Sequence, residues 1–355
     1  MQTALDYLNT LWGRGTTLLG TKYAILGGAM TWVSERNLVS AISNAGGFGV
    51  IACGAMTPEL LENEIKATKI LTQKPFGVNL ITMHPDLLAL IDVCVKTGVT
   101  HVVLAGGVPT KEAIESLKKG EIKVLCFAPA LALAKRLIRL GIDGLIIEGN
   151  EAGGHIGPVA TTVLAQEILP EIRDIPVFVA GGIGRGEAML SYLEMGASGC
   201  QLGTRFVCAT ESRAHPKFKQ AFIRAAARDA VASVQIDSRF PVIPVRALNN
   251  KGTERFQEYQ RELIRQVDAG ALPLKDAQMK VEHYWAGALR RAVIDGDVDE
   301  GSLMAGQSVG LVNAEEPTEK IIQDLINQAL SIIKIRTEKE IEQGNERVIK
   351  LSLSD

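Results

Sequence analysis

The 355-residue sequence predicts an α/β protein, a (β/α)8 TIM barrel with a mostly helical cap inserted after the eighth strand. Three observations carry this. Short β-rich runs recur between residues 23 and 204, most closing on glycine or a polar residue and each followed by a helical stretch. The runs are largely continuous in apolar residues, as parallel strands buried on both faces require. Their count stops at eight, the number of strands in a closed barrel. A doubly wound open sheet is the rival, but its single Gly-rich turn after the first strand, with an acidic residue ~20 positions on, is not clean here.

Taken in order, the strands read "YAILGGA" (23–29), "GFGVIAC" (47–53), "FGVNLI" (76–81), "HVVLAG" (101–106), "KVLCFA" (123–128), "GLIIEG" (144–149), "PVFVAGG" (176–182) and "GCQLGT" (199–204). Among the helices between them, "TPELLENEIKATKIL" (57–71) opens with Thr as cap and Pro as first helical residue. "ALALAKRLIRLG" (130–141) stops at glycine. After residue 206 the pattern turns helical, with "HPKFKQAFIRAAARDA" (215–230) and "ERFQEYQRELIRQVDAG" (254–270) as helices and "RFPVIPVRA" (239–247) as an extended linker. The chain thus divides into four regions: an N-terminal extension over 1–21, the barrel over 22–206, a cap over 207–300, and a return to the barrel with a C-terminal helix over 301–355.

Composition narrows the function. Net charge is −2, so no basic field exists to attract nucleic acid or anionic lipid. Aromatic residues are 5%, too few for a platform on which bases stack. No apolar run reaches the ~18 residues of a membrane span. The start, "MQTALDYLNTLWGRG", lacks the basic and apolar segments of a signal peptide. Five cysteines (Cys53, Cys94, Cys126, Cys200, Cys208) are widely spaced without a Cys-x-x-Cys pair, and read as buried free thiols of a reducing compartment. A soluble cytoplasmic chain is expected.

In a barrel the site lies at the C-terminal ends of the strands, and the unusual residues fall there. Strand one ends in "GGAM", strand three carries Asn79, strand seven ends in "AGGIGRG" and strand eight in "GTRF". Gly181 and Gly182, with Gly203 and Thr204, read as a phosphate seat, because glycine loops and helix starts aim backbone N–H groups at an anion. Arg205 either adds charge there or forms a structural ion pair. Strand six runs into "EGNEAGGHIG" (148–157), which places His155 on glycine-rich backbone facing that seat. Its imidazole, with an ordinary pKa of ~6.5, suits proton chemistry. Glu148 and Glu151 each either orient a ligand or cap the next segment. His84, His101, His215 and His283 read as structural or surface. A metal role for His155 is weak, because no second His or Cys lies at ligand spacing.

"EGNEAGGHIG", "PVFVAGGIGRGEAM", "GTRFVCATESRAHPKFK" and "GALRRAVIDGDVDEGSLMAGQSVGLV" together resemble the superfamily of flavin-dependent enoyl-ACP reductase II and nitronate monooxygenase (2-nitropropane dioxygenase). The similarity runs from about residue 22 to residue 325. It implies a barrel holding FMN, with Gly181, Gly182, Gly203 and Thr204 on the phosphate. Met30 and Asn79 would lie against the ring or ribityl chain, Gly154 near the ring, His155 at the reactive edge, and Gln307 of "AGQ" close to the flavin. The reductase uses NADPH or NADH to reduce a trans-2-enoyl thioester, whose acyl group an acyl carrier protein can hold. The monooxygenase oxidises a small nitronate without nicotinamide. "AMTWVS", "NEAGGHIG", "RAHPKFK" and "GDVDEGSLMAGQ" are closer to the reductase, with His155 positioning the substrate carbonyl or supplying a proton. A homodimer is implied. Gly27, where the family often has Gln, and Ala29, where it has Gly, depart from the pattern in the first strand loop. Two other readings stay open on sequence alone: a flavin- or phosphate-binding sensor without turnover, and a phosphosugar isomerase on the same fold.

Overall fold

The computed structural model describes residues 3–240, 244–284 and 287–352, with the backbone alone for 282–283 and 339–352. Eight parallel strands, β1 to β8 in chain order, form the barrel: Ile25–Gly27, Gly49–Ala52, Phe76–Ile81, His101–Ala105, Lys123–Phe127, Gly144–Glu148, Val177–Ala180 and Gly199–Leu202. They lie side by side in the order β1-β8-β7-β6-β5-β4-β3-β2. The ring closes where Leu26 of β1 bridges Phe48, next to β2. There the Gly27 N–H donates to the Phe48 carbonyl and the Phe48 N–H to the Ile25 carbonyl, each at 2.9 Å. The strands are mostly apolar because both faces are covered, by one another's side chains inside and by helices outside.

The helices start and stop where their end residues dictate. Thr57 accepts from the Leu60 N–H, and Pro58 is the first residue of helix Pro58–Leu71, whose later turns contain no proline. Helix Leu131–Arg139 gives way to Gly141 at φ +88°, a conformation that glycine adopts without penalty. The eighth βα unit has only the four-residue helix Thr204–Val207. The C-terminal helix Thr318–Ser352 packs instead against helices Gly186–Glu194 and Arg36–Asn44, completing the outer layer. A Cβ on Gly27 would collide with Ile42 of helix Arg36–Asn44, so the glycine at this position fits its neighbour.

Residues before β1 form helix Ala4–Leu19, with Leu8, Trp12 and Leu19 buried. It packs on the C-terminal helix and on Gly186–Glu194. At its end the Leu18 carbonyl lies 2.8 Å from Nε2 of the buried His101, the first residue of β4. The helix therefore reaches the N-terminal face of the barrel, opposite the strand ends that carry the glycines.

Beyond β8 two sequence expectations need correction. Residues 215–230 are not one helix: Pro216–Arg224 is helical, but Ala230–Ala232 is a strand. It pairs antiparallel with Val245–Leu248, which lies in part of the segment expected to be a linker. Ladder bonds and burial override the helix propensity of an alanine-rich run. Residues 241–243 of that linker lie outside the described residues. Gly154–His155, expected as loop, adds a third strand to this small sheet by pairing with Val245 and Arg246. Helix Lys251–Asp268 and helix Leu274–His283 share a separate small core around Phe240, Phe256 and Val281.

Candidate active site

The segment after β6 is fixed first by Glu151. Its carboxylate accepts from the Thr161 N–H at 2.7 Å and from the Thr161 hydroxyl at 2.5 Å, which caps helix Thr161–Ile168. Glu151 is thus a cap. The carboxyl of Glu148, at the end of β6, makes no hydrogen bond to a described residue. Burial pushes its carboxyl up to about 8, so it is largely protonated at pH 7.

Glycines then allow three loops to meet. A Cβ on Gly153 would lie 2.6 Å from Ala305 C and from Gly306 N, so only glycine lets these backbones touch. Gly306 donates its N–H to the Thr204 hydroxyl at 2.9 Å, and Gln307 donates its N–H to the Glu151 carbonyl at 2.9 Å. The loops after β6 and β8 and the segment 305–307 are therefore one assembly. The loop after β7 joins it. Gly181 and Gly182 hold φ of +95° and +74°, a backbone that glycine adopts without penalty and that turns the chain sharply after β7. A Cβ on Gly182 would stand 3.1 Å from that of Glu151.

Met30 meets this assembly from β1, since its sulfur lies 3.5 Å from where a Cβ on Gly203 would stand. Its loop is held by Ser34, whose hydroxyl donates to the Gly28 carbonyl at 2.9 Å and accepts from the Met30 N–H at 3.0 Å. Asn79 stands apart. It is buried in β3, across the ring from β7, and its amide donates to the Val103 carbonyl at 3.0 Å. Gly154 is at φ +80°, with the Met304 sulfur 3.6 Å from its missing Cβ position. His155 comes next with its side chain open to solvent, while the protein mass around it pushes its pKa below the ordinary 6.5.

Arg246 is the residue that sequence reasoning missed. It is buried, lies opposite Gly154 in the ladder, and donates through Nε to the Asn150 carbonyl at 2.8 Å and through Nη1 to the Ala230 carbonyl at 2.6 Å. Arg205, left open between a ligand and an ion pair, is paired with Glu316 at 2.5 Å. His84 and His215 each accept a backbone N–H through Nδ1, as turn and helix-cap groups. The side chain of His283 lies outside the described residues. Among the described residues no group of three or more His, Cys, Asp or Glu could hold a metal ion. No described helix is long and apolar enough to cross a membrane.

The nitronate monooxygenase family model matches residues 14–92 and 87–328. The chain belongs to that family. It is similar to the solved structure of FabK from Thermotoga maritima, with 36% identity and a TM-score of 0.82 over 92% of this chain and 98% of that one. It is similar also to a nitroalkane oxidase from Streptomyces ansochromogenes, at 26% identity and a TM-score of 0.74, covering 91% and 99%. A curated relative from Rhodococcus jostii, 29% identical over 92% of this chain and 98% of its own length, is (3aS,4S,5R,7aS)-5-hydroxy-7a-methyl-1-oxo-octahydro-1H-indene-4-carboxyl-CoA dehydrogenase. This member of the nitronate monooxygenase family is accordingly an enzyme, an oxidoreductase on a TIM barrel. That conclusion replaces the sensor and isomerase readings.

Proposed function

We propose that this enzyme is FMN-dependent and reduces a trans-2-enoyl thioester with NADPH or NADH. The observation that carries the reading is the greater likeness to FabK, an enoyl-ACP reductase, than to the nitroalkane oxidase, 36% against 26% identity. The Rhodococcus relative, whose name is that of a carboxyl-CoA dehydrogenase, also concerns an acyl thioester. The family's enzymes are FMN-dependent, and the residues fit that group. The glycine turn at Gly181–Gly182 and the backbone at Gly203 and Thr204 would hold its phosphate, with Met30, Asn79, Gly154 and Gln307 along the rest. Bound FMN would supply the hydride.

The chain's own residues set up the remainder. With its pKa below 6.5, His155 is mostly neutral at pH 7. A neutral imidazole is a poor acid but a good N–H donor, so this favours positioning of the thioester carbonyl over delivery of a proton. The acyl carrier protein, or coenzyme A, would hold the acyl chain from outside the mouth. The second reading, nitronate oxidation, has its own support in the family model and in the 26% neighbour.

The deciding experiment is anaerobic mixing of the purified, FMN-loaded enzyme with NADPH and, separately, NADH. Bleaching of the flavin's visible absorbance that a crotonyl thioester reverses is the expected result. Bleaching by an alkyl nitronate and by neither nucleotide would assign the monooxygenase reaction instead. His155→Ala is expected to keep its flavin and lose turnover by about 10²- to 10⁴-fold; unchanged turnover would remove His155 from the mechanism.

A further inference from the structure

We propose that Arg246 is the positioning residue of this site: its guanidinium clamps the carbonyls of Asn150 and Ala230 and so fixes the strand that carries His155. The inference rests on the role proposed for His155.

Three observations support the clamp. The strand Val245–Leu248 is the hub of the assembly, pairing with Ala230–Ala232 on one side and with Gly154–His155 on the other. It also bridges outward, Ala247 to Met304, and the Arg246 carbonyl accepts the Ala305 N–H at 3.3 Å. One residue thereby joins the loop after β6 and the segment 305–307 that packs on Gly153. Second, the two bonds of the guanidinium run in different directions, Nε to Asn150 and Nη1 to Ala230. A planar fork can do this, whereas an ammonium has no fixed fork.

Third, the arrangement is costly if it is only structural. Arg246 is buried and forms no ion pair with a described carboxylate; burial lowers its pKa, and the nearby charge of Glu151 only partly opposes that. That desolvation is offset only by the two carbonyl bonds, so what the guanidinium adds is the fixed placement of those carbonyls. Asn150 is five residues before His155, and its own N–H donates to the Val159 carbonyl at 2.8 Å, so the clamp acts on a short, taut segment.

The test uses the FMN-loaded enzyme and its variants Arg246→Gln and Arg246→Lys. The readouts are the NMR titration of the His155 imidazole, assigned by its loss in His155→Gln, and turnover per bound flavin. Lys keeps the charge and loses the fork. The expected result is that both variants raise the His155 midpoint by about half a unit, as a loosened strand lets the imidazole move away from the protein mass around it. Turnover should fall about ten- to a hundredfold in Gln, and less in Lys, with KM within about twofold. A raised midpoint in Gln alone would make Arg246 a through-space charge and overturn the clamp, as would two unmoved midpoints. Should Arg246→Gln fail to fold, Arg246→Lys decides by the same criteria. If the midpoints move while His155→Ala turns over normally, the clamp stands and the role given to His155 fails.

Discussion

Glu148 and Glu151 stand three residues apart and end in opposite circumstances. Glu151 is spent on the Thr161 cap, while burial holds Glu148 protonated up to about 8 against an ordinary 4.5. The folded state therefore keeps a proton that the unfolded chain releases between those values. Stability falls as pH rises through that window and levels off above it. Glu148→Gln is expected to flatten this loss, measured as denaturation midpoints of the flavin-free protein near pH 5 and pH 8. Parallel losses in variant and parent would clear Glu148 of the effect. His155 was legible as unusual because a titratable ring on glycine backbone has no packing purpose. The split between the two glutamates was not, since it depends on where Thr161 folds back. Nor was Arg246, because a lone arginine in an extended segment is most often solvated.

At the level of elements, the strands and caps were legible because their signals are local. Thr57-Pro58 favours a helix start by its own chemistry, and eight apolar runs need partners. The small sheet over the mouth was hidden, because "AAARDA" reads as helix until a distant strand offers ladder bonds. The loop contacts make a sharp prediction. Gly153→Ala would press a methyl onto the backbone at Ala305 and Gly306, separating the segment 305–307 from the loop after β6. The variant is expected to lose about 1–3 kcal/mol of stability and much of its flavin, read by denaturation and by absorbance after gel filtration. Full flavin retention would show that those loops do not need each other.

Taken whole, the molecule sequesters its thiols and leans on its first helix. All five cysteines are buried and free. Burial pushes Cys53, Cys94, Cys126 and Cys208 up to about 12 and raises Cys200 as well. A thiol reagent is expected to label none of them in the native protein and all five after denaturation; fast native labelling would contradict the packing. Trp12, 1% exposed, ties helix Ala4–Leu19 to the rest, with its ring 5.8 Å from that of Tyr23. Trp12→Ala is expected to cost about 3–5 kcal/mol in chemical denaturation. That a segment outside the eight units would be so anchored was not visible in its composition.

The closure of the ring also sets a timetable. β1 meets β2 through a single bridge, but it shares three registered pairs with β8, in which Ile25 faces Cys200 some 175 positions later. During synthesis the first strand leaves the ribosome with most of its backbone partners still unmade. An open, apolar edge must therefore persist until the eighth strand arrives, and sealing the hoop is necessarily a late, long-range event. The nascent chain is most prone to self-association in that interval, well before the site that the finished barrel supports exists.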